Sequence, residues 1–237
     1  MRKTGKLYLI PNLLGGDDLG VLSGDVLKIV PQLQHFIVEN ERNARRYLIK
    51  LSGTSGKVDS WHFAVLDKHH KKQHFDKSLL APALKGMDIG LISEAGLPAI
   101  ADPGAIVVEQ AHNLSIQVIP LVGPSSIFLA LAASGLNGQS FSFHGYLPIE
   151  AEARARKIKA LETMSRKFNT TQIFIETPYR NLQMFESIVR TCGEHTHLCI
   201  AANLSLPDEY IFTQKIGDWR KNQADINKKP CVFLLLG

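Results

Sequence analysis

The stretch Leu91-Ile92-Ser93-Glu94-Ala95-Gly96-Leu97-Pro98-Ala99-Ile100-Ala101-Asp102-Pro103-Gly104 decides the fold. An apolar run over residues 88–93 enters it, and two Gly/Pro turns then flank Asp102. Aspartate caps helices through its side-chain oxygen, and proline at the next position forgoes an N–H that would have no partner there anyway. A helix over residues 104–112 is therefore expected. Strand, Gly/Pro loop and helix in that order make the repeating unit of α/β proteins. In open α/β sheets ligands bind beyond the carboxyl ends of the strands, so this loop is the first candidate wall of a site.

The same unit recurs on both sides. Residues 7–10 lead into Pro11-Asn12-Leu13-Leu14-Gly15-Gly16-Asp17-Asp18, and residues 115–120 into Leu121-Val122-Gly123-Pro124-Ser125. Residues 141–144 lead into Gly145-Tyr146-Leu147-Pro148, and residues 172–176 into Thr177-Pro178-Tyr179-Arg180. Thr177-Pro178 repeats the capping device, with Leu182, Phe185, Ile188 and Val189 forming one apolar helical face. Residues 127–133 are apolar all round, which predicts a buried helix, and Gly135 stands where it should stop. Residues 198–202, 209–213 and 232–236 read as strands with little helix between them, so the last third is expected to hold antiparallel pairs in a mixed sheet. A boundary near 120–124 gives an N-terminal α/β domain over 1–120 and a C-terminal one over 121–237.

Composition narrows the function. The chain has 237 residues, 45% of them hydrophobic and 21% charged, which is ordinary globular usage. The net charge of +5 permits a polyanionic partner without requiring one. Cys192, Cys199 and Cys231 are too few and wrongly spaced for a disulfide framework or a metal cluster, so a reducing cytoplasm and no metal are expected. The longest apolar stretch falls far below the about 20 residues that a membrane helix needs.

Familiar motifs are absent. Gly15-Gly16-Asp17-Asp18-Leu19-Gly20 is followed by Val21-Leu22 instead of Lys-Ser/Thr, so it is no P-loop, and its glycine spacing is not GxGxxG. A strand-to-helix turn is the expectation. Lys68-His69-His70-Lys71-Lys72-Gln73-His74 lacks a partnering ligand cluster and reads as a solvated loop. Neither Gly-x-Ser-x-Gly nor HExxH occurs. Arg154, Arg156, Lys157, Lys159, Arg166 and Lys167 fall on one predicted helix, with Ile158, Leu161 and Met164 facing inward, and make a candidate phosphate-contacting surface.

Five blocks in register carry a resemblance: residues 91–104, Pro120-Leu121-Val122-Gly123-Pro124-Ser125-Ser126, Ala133-Ser134-Gly135-Leu136, residues 143–148 and residues 174–180. Together they resemble the tetrapyrrole-methylase superfamily, in the branch of small-subunit ribosomal RNA methyltransferase I. The resemblance implies two α/β domains with S-adenosylmethionine in a cleft between them, an RNA substrate, and a homodimer. It implies cofactor contacts from Pro11, Leu14, Gly96, Leu97, Pro98, Ile100, Ser125 and Ser126, closed by Ile175, Glu176, Ala201 and Ala202.

Some positions depart from that branch. Members read PTPIGNL and AEDTR where this chain has Pro11-Asn12-Leu13-Leu14-Gly15-Gly16-Asp17 and Val38-Glu39-Asn40-Glu41-Arg42. Many also carry a small C-terminal extension beyond the last core strand. A ribose hydroxyl is a poor nucleophile at neutral pH, so a general base is expected, and Glu39, Glu94 and Glu176 are the candidates by position. His144 and Tyr179 are weaker candidates. Arg42, Arg154, Arg156 and Arg180 are the candidate substrate anchors. A methyltransferase for a tetrapyrrole or other small molecule, and a binding protein without turnover, are the competing readings.

Overall fold

The structure, a computed structural model, describes residues 4–53, 60–66 and 76–237. The His-rich run 68–74 lies outside them. The chain divides into two compact units, Met1–Ser125 and Ser126–Gly237.

The first unit is built on strands β1 (Lys6–Ile10), β2 (His35–Val38), β3 (His62–Val65), β4 (Ile89–Ile92) and β5 (Gln117–Pro120). They form one parallel sheet in the order β3-β2-β4-β1-β5. Helices α1 (Gly24–Ile29), α2 (Glu41–Ser52), α3 (Ala81–Leu84) and α4 (Ala105–Asn113) connect them. β4 is buried at all four positions, as a central parallel strand should be. A Cβ on its Gly90 would sit 2.5 Å from Ile10 Cδ1 and 3.0 Å from Phe36 Cδ1, so a bare backbone lets those side chains close over the strand.

Helix α2 shows how local sequence sets an element. Asn40 accepts a hydrogen bond from the Asn43 N–H at its start, and Gly53 ends it in the left-handed region at φ 65°. Tyr47, Leu48 and Leu51 face the core. The glycine-rich turn after β1 holds a short 3-10 helix, Leu19–Val21, capped by the Asp18 carboxylate on the Gly20 N–H.

One cap differs from expectation. α4 starts at Ala105 after Gly104, and Asp102 is not its cap residue. The Asp102 carboxylate instead accepts from the Ala99 and Gly104 N–H groups at 2.9 and 2.7 Å and closes the preceding loop on itself.

The second unit holds α5 (Ser126–Ser134), β6 (Phe141–Tyr146), α6 (Ala151–Phe168), β7 (Thr171–Glu176), α7 (Asn181–Thr191), β8 (His197–Ala202), β9 (Tyr210–Lys215), α8 (Ile216–Trp219) and β10 (Cys231–Leu236). Its sheet runs β6-β7-β10-β8-β9, parallel between β6 and β7 and antiparallel elsewhere. The expected mixed sheet is thus present. Phe174 and Phe233 stack at its centre, 5.8 Å between rings.

Three helix faces need correction. α5 buries Ile127, Ala130 and Leu131 but exposes Phe128 and Leu129, because only one side of it meets the sheet. α6 turns Ile158 and Leu161 inward and leaves Met164 exposed. α7 buries Met184 and Ile188 while Leu182 is exposed, and Thr177 makes no side-chain cap, since a 3-10 turn over Pro178–Arg180 starts the helix instead. Among the described residues no helix is long and apolar enough to cross a membrane.

Candidate functional site

In the first unit the carboxyl ends of β1, β2 and β4 lie side by side, and their loops are bonded to one another. Asn12, just past β1, exchanges backbone hydrogen bonds with Gly96 at 2.8 and 3.2 Å, and its amide donates to the Ser93 carbonyl at 2.8 Å. The Ser93 hydroxyl, buried beneath, donates to the Gly96 carbonyl. Gly96 takes φ 68°, and a Cβ there would meet Leu14 Cδ2 at 3.2 Å, so glycine answers both a conformational and a steric demand. Ala99 and Ala101 also adopt positive φ, 67° and 60°, which places backbone strain in this loop.

Two of the candidate bases meet here. Glu94 accepts from the Asn43 amide at 2.6 Å, and its backbone N–H points at Glu39 Oε1, 3.4 Å away. The Tyr47 hydroxyl donates to the Pro11 carbonyl, and Lys50 pairs with Asp17. Burial pushes the Tyr47 phenol well above its usual range, so it stays protonated and keeps donating. These groups enclose a concavity of about 260 Å³ lined by residues 12–16, by Asn43, Arg46, Tyr47 and Lys50 of α2, and by Glu94 and Ala95.

Other expected contacts lie in the same unit. Pro11 packs so closely on Gly123 that a Cβ there would stand 2.2 Å from the proline Cβ. Pro98 and Ser125 are buried, and Leu97 is half-buried. Ile100 is exposed, as is Arg42 in the first turn of α2.

Asp102 sets a pH dependence. Burial raises its carboxyl to about 6, opposed by the Gly104 and Ala99 N–H groups and helped by the Glu39 charge. The folded state disfavours its ionised form, so stability declines as pH climbs from 3.8 to about 6, and the cost is complete above that. Asp102→Asn keeps an oxygen for both N–H groups. The expected result is a higher melting temperature at pH 8 and none at pH 4, with about 3 kcal/mol as the upper bound. Equal melting of both proteins at pH 8 would refute it.

In the second unit, β10 sets the level of four expected residues. Val232 pairs with both Ile175 and Ala201, and Cys231 with both Glu176 and Ala202. They gather at the carboxyl ends of β7 and β8. Glu176 is nevertheless not a free base, because its buried Oε1 accepts from Thr177 N, Arg180 Nε and Arg180 Nη2 at 2.6, 3.0 and 2.6 Å. Arg180 is spent in the same pair, which removes it as a ready substrate anchor. Arg154 also departs from expectation. It is 6% exposed and donates to Ser187 Oγ and to the Ile149 carbonyl, so it braces α6 against its surroundings instead of facing solvent. Arg156 does face solvent, 3.5 Å from Glu152. His144 is hydrogen-bonded to Gln172, and Tyr179 is exposed.

Sequence reasoning passed over Asn43, Arg46, Tyr47 and Lys50. Their signal is the helical spacing that puts all four on one face of α2.

Comparison with known proteins bears on the family and the fold. A family model for tetrapyrrole (corrin/porphyrin) methylases matches residues 31–219. Ribosomal RNA small subunit methyltransferase I of Vibrio cholerae is 33% identical over 98% of this chain and 77% of its own length. The protein of that name from Escherichia coli O157:H7 is 30% identical over 98% of this chain and 78% of its own. Among solved structures, the methyltransferase CobJ superposes with a TM-score of 0.65 at 13% identity, covering 99% of this chain and 95% of that one. Uroporphyrin-III-C-methyltransferase from Thermus thermophilus gives 0.55 at 16% identity over 98% and 92%. At such identities these two structures speak to the fold alone.

Proposed function

Since the chain belongs to the tetrapyrrole (corrin/porphyrin) methylase family, we propose that its acceptor is small-subunit ribosomal RNA, methylated at a ribose 2′-hydroxyl. The protein is a methyltransferase that uses S-adenosylmethionine. The observation that carries the RNA acceptor is the likeness to two ribosomal RNA methyltransferases along almost the whole chain.

The donor supplies a methyl group on a sulfonium whose leaving group is a neutral thioether. The residues present fit such a donor: Gly96 and Gly123 let the loops after β4 and β5 close against Leu14 and Pro11, and buried Ser125 offers a hydroxyl. We assign Pro11, Leu14, Gly96, Leu97, Pro98 and Ser125 to holding it. The chain's remaining task is to align the acceptor and take its proton. Glu94 is the group placed for the proton, because it lines the concavity and one of its oxygens is fixed by Asn43. Arg42 and Arg156, both exposed, are the remaining anchors for the RNA backbone. A ribosomal acceptor implies a cytoplasmic protein, and we take the working form as a homodimer, which sedimentation checks.

The test is calorimetric titration with S-adenosylmethionine, followed by transfer of labelled methyl groups to unmethylated small ribosomal subunits. Micromolar donor binding and an alkali-resistant labelled dinucleotide in the RNA are expected. Donor binding without label in RNA, or label passing only to a porphyrin-type acceptor, would overturn the acceptor.

A further inference from the structure

On α2, Asn43, Arg46, Tyr47 and Lys50 stand at i, i+3, i+4 and i+7, and all four line the same concavity. Three of them are tied across it: Asn43 to Glu94, Tyr47 to the Pro11 carbonyl and Lys50 to Asp17. Arg46, exposed at its edge, has no hydrogen-bond or ion-pair partner among the described residues. The helix is therefore pinned at three points while one guanidinium is left unspent over a cavity.

That arrangement suits an anion. The planar fork of arginine matches the geometry of phosphate oxygens, and pinning the helix that carries it fixes where the side chain starts. Gly15 and Gly16 form part of the wall without side chains, Gly16 at φ 66°, so an anion meets backbone there and no bulk. Among the lining residues Arg46 and Lys50 carry positive charge and Glu94 alone carries negative charge. At about 260 Å³ the concavity lies under the about 300 Å³ where pockets for drug-sized ligands begin, a fit for a fragment such as one phosphate with its sugar.

We propose that Arg46 binds a backbone phosphate of the RNA next to the methylated nucleotide. Because Glu94 lines the same concavity, the phosphate contact sets the register in which a ribose hydroxyl reaches that carboxylate. The inference rests on the RNA reading above and deepens it by naming the residue that fixes the strand.

Arg46→Ala, Arg46→Lys and the control Lys85→Glu test it, with a transcript of small-subunit ribosomal RNA as ligand. Lys85 is exposed at the end of α3, near the amino end of β1, where Gly5 N–H meets the Ala83 carbonyl, whereas the concavity lies beyond the carboxyl ends. Arg46→Ala should weaken RNA binding about tenfold and flatten the plot of log affinity against log salt by about 0.7, the share of one phosphate on a single strand. Arg46→Lys should restore the slope but only part of the affinity. The affinity for S-adenosylmethionine, the melting temperature and the Lys85→Glu protein should stay as in the wild type. An Arg46→Ala protein with wild-type affinity and slope would overturn the phosphate subsite and leave the RNA acceptor standing. A wild-type protein that neither binds nor methylates RNA would remove both.

Discussion

Replacing Glu94 by glutamine is expected to lower kcat for methyl transfer at least about 100-fold, the usual share of a positioned general base. Glutamine preserves size and can still accept from Asn43, which now holds Glu94 Oε2 at 2.6 Å, so the loop should stay in place. What disappears is the lone-pair basicity that takes the hydroxyl proton as the methyl group moves. Affinity for S-adenosylmethionine should not change, because Glu94 is not among the residues assigned to the donor. Glu39→Gln is the comparison. Its carboxylate faces the Glu94 N–H at 3.4 Å, a positioning contact, so a smaller loss is expected. Single-turnover transfer with saturating RNA separates the two, and an unchanged rate in Glu94→Gln would remove it as base.

Glu162→Ala is expected to cost on the order of 3 kcal/mol in the second unit, about 10 °C in melting temperature. The Glu162 carboxylate is buried on α6, where it accepts from the Thr196 hydroxyl and the Gly193 N–H, both at 2.6 Å, and pairs with Lys159 and Arg166. Both cations are more than half exposed, so water screens their share. The loss comes mainly from leaving the buried Thr196 hydroxyl and the Gly193 amide without an acceptor.

Burial alone would raise the Glu162 pKa, but the bonds from Lys159, Thr196 and Gly193 outweigh it and hold the carboxyl below the ordinary 4.5. Its folded form therefore prefers the anion. The stabilisation is complete above the ordinary value and fades as pH falls through the lower folded one. Calorimetry at pH 7 and in mild acid should show the gap between wild type and variant narrowing on the acid side. A gap that is absent at pH 7 would contradict the assignment.

Much of this protein could be read along the chain. The Gly/Pro loops after residues 7–10, 88–93, 115–120 and 172–176 mark strand ends, because backbone that must turn sharply needs glycine or proline there. The antiparallel last third was likewise legible from strands with little helix between them. β2 and β3, four residues each, escape such a reading, since short apolar runs without strong turn signals carry little periodicity.

Side-chain partners were beyond it. Arg154 looks like any cation of a charged helix until α7 is seen to bring Ser187 within 2.9 Å of it. Glu176 reads as a free carboxylate until its neighbour Arg180 is seen to fold back on it. The sequence by itself determined the α/β class, the loops that would flank a site and the chemistry available in them, because local conformation follows from residue type and spacing. Only the tertiary structure decided which charges are spent and which are free, because pairing and burial depend on residues far apart in the chain, 82 positions in the case of Asn12 and Glu94. That difference singles out Glu94 and Arg46, on neighbouring walls of one concavity, from a chain full of equivalent side chains.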